Sequence, residues 1–231
     1  MSNEIAIFDS GVGGLKILQG LRKVLPNENY VYAFDRTFAP YGNKSERAII
    51  RRAEHIVNGF VKRKVKAVVI ACNTATAVAV EYLRARFSID IFGVEPPVVP
   101  ALKVSGDGKI LLLCTPLTAK TKRLQRLCLM RDDIIISPQK TLATAVEREF
   151  LNIDNLTGEV DKILSAYDNE KIKAVALGCT HYYYLKSQIE NYYKHKVPVF
   201  TATDGVCKRV KSVLCGRLNE GKGGFVKYLY F

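Results

Sequence analysis

The sequence predicts an α/β fold with two similar three-layer domains, each built on a mainly parallel sheet. Short apolar segments typical of buried strands alternate along the chain with longer segments of helical periodicity. One apolar segment occurs twice, as KAVVIAC at 66–72 and as KAVALGC at 173–179. Strands that are apolar on both faces and alternate with helices form parallel sheets covered by helices. The repeat therefore indicates a pseudo-duplicated α/β unit.

The elements are predicted in strand–helix order. Each strand is a short run of mostly apolar residues, and each helix is a longer segment between two such runs. The strands are expected at 5–8, 30–34, 67–71, 90–94, 109–113, 134–136, 174–177 and 197–201. The helices are expected at 14–25, 45–64, 75–87, 118–129, 142–151, 158–168, 184–193 and 205–218.

Residues at the ends of the strands have matching spacing in the two halves. Asp9 lies 63 residues before Cys72, and Thr115 lies 64 residues before Cys179. Ligands of open α/β sheets bind at the carboxyl ends of the strands, where all four residues are expected. The active site is therefore predicted in the cleft between the two domains.

A proline-rich segment at 95–100 is the predicted linker between the domains. The C-terminal tail is expected to return to the first half. The first domain is then discontinuous and comprises 1–96 and 205–231, and the second domain comprises 97–204.

Composition and cysteine content indicate an ordinary protein of the cytoplasm. The 231 residues are 48% hydrophobic and 25% charged, and no apolar stretch reaches the roughly 18 residues of a membrane span. Residues 1–4 lack the basic region of a signal peptide, so the six cysteines are expected to stay reduced. Without a C-x-x-C pair, and with three histidines, no metal site is expected.

The net charge of +13 allows two interpretations. Basic clusters at 62–66, 120–126 and 208–211 could attract nucleic acid. However, aromatic residues do not alternate with these clusters as they do in nucleic-acid modules. A lysine-rich solvated surface is favoured over a nucleic-acid partner, and a basic nucleic-acid-binding protein is the alternative from another functional class.

A glycine-rich turn, DSGVGG at 9–14, joins the first strand to the first helix. Free backbone N–H groups in such a turn are suited to holding an anion. A dinucleotide fingerprint would need glycine at 16, where Lys16 stands, and Asp9 would repel a pyrophosphate. A nucleotide-dependent oxidoreductase is therefore disfavoured.

Two cysteines are the candidate reactive groups. Cys72 follows a strand and precedes Asn73, Thr74 and an alanine-rich helix. A thiol at a helix N-terminus is more acidic than a free one, and the neighbouring polar groups suit a carboxylate. The sequence Cys-Thr-His at 179–181 repeats the arrangement. Two thiols that face one substrate from opposite sides can invert a carbon stereocentre by proton transfer.

Three further side chains are candidates for acid–base work with these thiols. His181 is interpreted as the partner of Cys179, and Asp9 as the corresponding partner of Cys72. Glu147, on a predicted helix, is either a helper or a solvated side chain.

Four segments of the chain carry a family resemblance. They are DSGVGGL at 9–15, Asp35 with PYGNKS at 40–45, ACNTA at 71–75 and LGCTHY at 177–182. In order and spread they resemble the cofactor-independent glutamate racemases of the aspartate/glutamate racemase superfamily.

The resemblance implies cofactor-free racemisation of glutamate by two catalytic cysteines. Cys72 would take the α-proton of D-glutamate and Cys179 that of L-glutamate, assisted by Asp9, His181 and Glu147. The substrate-binding residues would be Asp9, Ser10, Tyr41, Gly42, Asn73, Thr74, Thr115, Thr180 and His181. Neither pyridoxal phosphate nor a metal would be needed, the enzyme would be a homodimer, and its D-glutamate would enter bacterial peptidoglycan.

Two relatives are alternatives within the superfamily. An aspartate racemase has the same fold and thiols, but typically carries an acidic residue where His181 stands, so glutamate is favoured. A one-cysteine relative such as an arylmalonate decarboxylase is disfavoured because both thiols are present.

Overall fold

A computed structural model describes residues 3–128, 131–221 and 223–231. The chain forms two compact units. The first unit comprises the residues up to Glu95 together with Thr203–Phe231, and the second comprises Pro96–Ala202. Each unit has a parallel sheet flanked by helices, so the predicted fold class is confirmed.

The first unit is built on a five-stranded parallel sheet, and its elements are numbered in chain order. The strands are β1 (Glu4–Asp9), β2 (Asn29–Phe34), β3 (Ala67–Ile70), β4 (Asp90–Gly93) and β9 (Val226–Tyr230), in the order β4-β3-β1-β2-β9. The helices are α1 (Leu15–Val24), α2 (Glu46–Lys62), α3 (Asn73–Arg86) and α10 (Thr203–Val213), with a 3₁₀ turn at Tyr41–Asn43. The strands β1 and β3 are fully buried, and each contains an apolar run, at 5–8 and 67–70, as burial on both faces requires.

The second unit is built on a four-stranded parallel sheet. The strands are β5 (Lys109–Cys114), β6 (Ile134–Pro138), β7 (Ile172–Gly178) and β8 (Val199–Phe200), in the order β6-β5-β7-β8. The helices are α4 (Val98–Leu102), α5 (Pro116–Lys120), α6 (Lys122–Leu127), α7 (Leu142–Arg148), α8 (Thr157–Ser165) and α9 (Lys186–Tyr192), with 3₁₀ turns at Ile153–Leu156 and Thr180–Leu185.

The two sheets have the same strand order. The order β4-β3-β1-β2 in the first unit corresponds to β8-β7-β5-β6 in the second, so that each strand of the first unit is equivalent to the strand numbered four higher in the second. The repeated segments therefore form equivalent strands, β3 and β7, and each lies next to the first strand of its sheet. The C-terminal strand β9 is an addition that pairs with β2, where Phe34 stacks on Tyr230 with ring centroids 5.2 Å apart.

Two predicted helices are divided or begin differently in the structure, the predicted linker is partly helical, and other helix bounds shift by a few residues, as in α10, which spans Thr203–Val213 and not 205–218. The helix predicted at 118–129 is divided into α5 and α6, because Thr121 has extended backbone angles and its hydroxyl caps α6 through the Leu124 N–H. Residue 129 lies outside the described residues. The helix predicted at 184–193 begins earlier, as a 3₁₀ turn whose Tyr182 and Tyr183 are buried. The segment at 95–100, predicted as a linker, contributes to α4. The helix tolerates Pro100 because this residue lies in the first turn, where a backbone N–H would have no helical partner.

None of the helices formed by the described residues is long and apolar enough to cross a membrane.

Candidate active site

Cys72 lies at the carboxyl end of β3 and caps the N-terminus of α3. Its Sγ accepts a hydrogen bond from the Ala75 N–H at 3.5 Å and lies 3.8 Å from Ser10 Oγ. The β1–β3 register pairs Phe8 with Ile70, so Ser10 is opposite Cys72. A helix N–H and a hydroxyl near the sulfur both favour negative charge there.

Asp9 organises the glycine-rich turn. Its carboxylate is fully buried and accepts the N–H of Ser10 at 2.8 Å and the N–H of Gly14 at 2.6 Å. The Tyr32 hydroxyl closes the turn by donating to the Gly11 carbonyl at 3.0 Å. The prediction that the N–H groups of this turn are free to hold an anion is therefore corrected for Ser10 and Gly14, whose donors are used by Asp9.

Gly14 is a turn position at which a side chain has no room. A Cβ there would lie 2.6 Å from the Tyr32 hydroxyl and 2.8 Å from Cβ of both Ala71 and Asp9. We expect Gly14→Ala to lower the stability of the first unit by about 1–3 kcal/mol, as overpacking does. Thermal unfolding would measure the loss. Gly59→Ala, on α2 with nothing within 4 Å of its Cβ, is the control and should raise the melting temperature slightly. Equal melting temperatures for Gly14→Ala and the wild type would contradict the prediction.

Tyr41 and Gly42 lie in the 3₁₀ turn Tyr41–Asn43, which packs against α3. The Tyr41 hydroxyl donates to Asp35 Oδ2 at 2.5 Å. Burial, then the negative charge and hydrogen bond of Asp35, raise the pKa of Tyr41 far above its ordinary value, and the charge of Cys72 adds to this. The phenol therefore stays protonated, is committed to Asp35, and lies within electrostatic range of the Cys72 sulfur.

Asn73 and Thr74 are buried in the first turn of α3. The Asn73 Nδ2 donates to the Val94 carbonyl at 3.0 Å, which fixes the orientation of the amide. Its Oδ1 is buried and has no hydrogen-bond partner among the described residues. An unpaired buried acceptor is costly, so this oxygen is suited to a donor such as a substrate ammonium group.

Cys179 has a different environment at the carboxyl end of β7. Its Sγ lies 4.0 Å from His181 Nδ1, and His181 Nε2 lies 2.8 Å from Glu147 Oε2 on α7. A carboxylate only accepts, so Nε2 carries the proton and Nδ1 of the neutral ring is left as an acceptor facing the thiol. This chain of groups can move a proton to and from the sulfur.

The two thiols are equivalent in the sheets and differ at the following helix. Cys72 caps a 14-residue α-helix, whereas Cys179 precedes a 3₁₀ turn and accepts no cap hydrogen bond from it. The prediction that residues 179–181 repeat the helix N-terminus of Cys72 is therefore wrong in this detail. The 3₁₀ turn buries Tyr182 and Tyr183. Near Cys179, a histidine bound to a carboxylate takes the place of the helix N–H group near Cys72.

Thr115 and Thr180 accompany Cys179. The β5–β7 register pairs Cys114 with Gly178, so Thr115 is opposite Cys179. Thr115 Oγ1 donates to Thr118 Oγ1 at 2.9 Å and accepts the Thr118 N–H at 3.3 Å. Thr180 is buried. Burial raises the pKa of the neighbouring Cys114 thiol to about 12, so that thiol stays protonated and suits packing.

The structure gathers the predicted site residues into one group in each unit. Around Cys72 lie Asp9, Ser10, Tyr41, Gly42, Asn73 and Thr74, and around Cys179 lie Thr115, Glu147, Thr180 and His181. Sequence reasoning missed Arg52, which binds Asp35. The signal was present, because Arg52 shares the face of α2 that carries the buried Ile49 and Ile56.

Comparison with known proteins adds to this geometry. The family model described as Asp/Glu/Hydantoin racemase matches residues 15–210. The chain belongs to this family. It is an isomerase of the amino-acid racemase class, and the resemblance seen in the sequence is confirmed.

Several relatives of this racemase carry a more specific name. It is 36% identical over 214 residues to a glutamate racemase of Clostridium novyi, covering 91% of this chain and 83% of the relative. It is also 36% identical over 220 residues to a glutamate racemase of Aliivibrio fischeri, covering 94% and 83%.

Solved structures agree with this racemase over most of its length. Escherichia coli glutamate racemase, in complex with L-glutamate and the activator UDP-MurNAc-Ala, matches with a TM-score of 0.86 and 28% identity over 96% of this chain and 88% of that one. A glutamate racemase isoform from Bacillus anthracis matches with a TM-score of 0.85 and 29% identity over 99% and 88%.

Proposed function

We propose that this racemase interconverts L- and D-glutamate without a cofactor, with Cys72 and Cys179 as the two acid/base groups. One observation carries the proposal: the two thiols end equivalent strands of two sheets with the same strand order. Relatives and neighbours named glutamate racemase support the choice of substrate.

Each thiol is proposed to serve one enantiomer. Cys72, as a thiolate, removes the α-proton of D-glutamate while Cys179, as a thiol, protonates the opposite face. The reverse reaction exchanges the two roles. His181 and Glu147 move the proton at Cys179, and Ser10 and the Ala75 N–H stabilise the charge at Cys72. In this scheme residues 1–96 with 205–231 and residues 97–204 form the two racemase domains, and each domain contributes one of the two thiols.

The α-proton of an amino acid is weakly acidic, so the developing carbanion must be stabilised. Fixed donors aimed at the α-carboxylate supply part of this stabilisation in a site that excludes water. We propose that Asn73, Thr74, Thr115 and Thr180 hold the substrate, with Asn73 Oδ1 accepting from its ammonium group. Polar groups that are already fixed in place need no rearrangement during the reaction.

The product and setting follow from the same proposal. D-glutamate made by this racemase supplies peptidoglycan synthesis in the cytoplasm, and the enzyme acts as a homodimer. Size-exclusion chromatography with light scattering would test the dimer.

Proton exchange in D₂O tests the function directly. We expect purified protein without added cofactor to exchange the α-proton of L-glutamate for deuterium and to form D-glutamate. Proton NMR follows the loss of the α-proton signal, and chiral chromatography detects the D-isomer. L-aspartate is the matched substrate, shorter by one methylene group. Exchange of aspartate alone would assign an aspartate racemase with the same thiol chemistry, and exchange of neither substrate would refute the proposal.

A further inference from the structure

Asp35 is a carboxyl group without exposed surface at the carboxyl end of β2. Its two oxygens accept hydrogen bonds from Arg52, one from Nη2 at 2.5 Å and one from Nε at 2.8 Å. A buried carboxylate is strongly unfavourable unless a cation and hydrogen-bond donors compensate it, and the planar guanidinium does both. Asp35 therefore depends on Arg52.

Asp35 in turn ties two parts of the candidate site together. Its backbone N–H donates to the Asp9 carbonyl at 2.9 Å, and its backbone carbonyl accepts the Ala39 N–H at 3.2 Å. Its side chain accepts the Tyr41 hydroxyl. The segment from the end of β2 to the turn Tyr41–Asn43 is thus organised around this one carboxylate.

Arg52 also packs against this segment. Its guanidinium carbon lies 5.9 Å from the centre of the Phe38 ring, and Phe38 meets Tyr41 edge to face with centroids 5.6 Å apart. Nη2 lies 3.4 Å from the Thr37 hydroxyl oxygen, to which it donates. One side chain of α2 therefore contacts three residues before the turn.

We infer that Arg52 is a positioning residue of this racemase, which acts through Asp35 to hold the turn Tyr41–Asn43 beside Cys72. Arg52 itself does not contact the substrate in this scheme. It keeps Asp35 as a buried acceptor, and Asp35 keeps the Tyr41 phenol in place. The inference rests on the proposed function, because the turn carries Tyr41 and Gly42, which are among the substrate-binding residues that the family resemblance implies.

Arg52→Gln should act on substrate affinity more than on turnover. Without the guanidinium, the turn occupies its binding-competent position for a smaller fraction of the time, and the apparent dissociation constant rises by the inverse of that fraction. We expect KM for both enantiomers of glutamate to rise about tenfold. The value of kcat should change less than about threefold, since saturating substrate returns the turn to its binding-competent position. A loss of folded protein alone would lower apparent kcat and leave KM unchanged.

Arg63→Gln is a matched control on the same helix region. Arg63, at the end of α2, makes an equivalent two-bond pair with the buried Glu4, through Nε at 2.7 Å and Nη2 at 2.9 Å. Glu4 begins β1, at the amino end of the sheet, whereas Asp35 follows the carboxyl end of β2. Both variants should lower the melting temperature, and only Arg52→Gln should raise KM.

Two further variants sharpen the test. Arg52→Lys keeps the charge without the planar fork, so its KM should lie between those of the wild type and Arg52→Gln. Tyr41→Phe removes only the phenol donor and keeps the Arg52–Asp35 pair, and it stands in for Arg52→Gln if that protein fails to fold. If Arg52 acts through Tyr41, the double variant should raise KM no more than the stronger single one.

A readout without substrate separates this inference from the proposed function. Cys72 is 6% exposed and Tyr41 lies within electrostatic range of its sulfur. Displacing the turn should speed alkylation of Cys72 by iodoacetamide, measured by mass spectrometry, about tenfold in Arg52→Gln and not in Arg63→Gln. If the wild type does not racemise glutamate, the proposed function fails and this rate still decides the positioning role. The inference would be overturned if Cys72 were alkylated at the same rate in the wild type, Arg52→Gln and Arg63→Gln. It would also be overturned if KM of Arg52→Gln were within twofold of the wild-type value.

Discussion

Cys72→Ser and Cys179→Ser should each lower racemisation of glutamate by about 1,000-fold or more, since in the proposed scheme either change removes one of the two acid/base groups. Serine preserves size and hydrogen bonding, and each thiol is buried at a strand end whose backbone the substitution does not alter. Chiral chromatography of L- and D-glutamate measures the rate. The two reactions must fall together, because enantiomers have equal free energies and kcat/KM is the same in both directions.

The single-thiol variants should differ in hydrogen exchange. Cys72→Ser retains the base proposed for L-glutamate, so in D₂O it should exchange the α-proton of L-glutamate slowly and without inversion. Cys179→Ser should exchange the α-proton of D-glutamate only, again slowly and without inversion. A one-base mechanism predicts instead that one variant keeps both racemisation and exchange. Such a result would refute the two-thiol scheme.

Two other cysteines provide controls for this experiment. Cys207 is buried on α10 of the first unit, and burial raises the pKa of its thiol to about 12, so it stays protonated. Cys128 is partly buried in the second unit, beyond α6. Cys207→Ser and Cys128→Ser should keep their racemase activity within about threefold of wild type. If they lost as much activity as Cys72→Ser and Cys179→Ser, the serine substitutions would be acting by lowering the stability of the protein.

The strands were predictable because burial on both faces leaves a simple pattern. Strands β1, β3, β5 and β7 each contain an uninterrupted run of apolar residues, and no tertiary information is needed to recognise these runs. The repeat also indicated their equivalence, which the matching strand orders confirm. Local sequence patterns were therefore sufficient to predict this part of the fold.

The side-chain pairs of the site were less accessible to sequence reasoning. Glu147 and His181 are 34 residues apart, and Arg52 and Asp35 are 17 apart, so no helical or strand period joins them. Only folding brings these partners within hydrogen-bond distance. The division of α5 from α6 was missed for another reason: Thr121 fits a helical pattern equally well as an interior residue or as a cap.

Glu147→Gln should lower kcat/KM by about 100-fold, through an effect on His181. The carboxylate holds the proton on Nε2 and leaves Nδ1 facing Cys179 at 4.0 Å. A glutamine amide can instead donate to Nε2, and the ring then carries its proton on Nδ1, where it cannot take one from the thiol. Steady-state kinetics in both directions would measure the loss. Glu149→Gln is the control, because Glu149 ends the same helix and binds Arg148 and Asn155 at the surface.

Isotope effects would show whether Glu147→Gln slows the proton transfer at Cys179 or the one at Cys72. Since kcat/KM falls equally in both directions, the rates alone cannot assign Glu147 to one thiol. Removal of the α-proton from L-glutamate is the step proposed for Cys179, so slowing that step makes it more nearly rate-limiting. We therefore expect the primary deuterium effect on kcat/KM in Glu147→Gln to increase for α-deuterated L-glutamate and to decrease for the D-isomer. The opposite pattern would place the Glu147–His181 pair in the service of Cys72, and unchanged isotope effects would leave it a structural contact between α7 and the 3₁₀ turn at Thr180–Leu185.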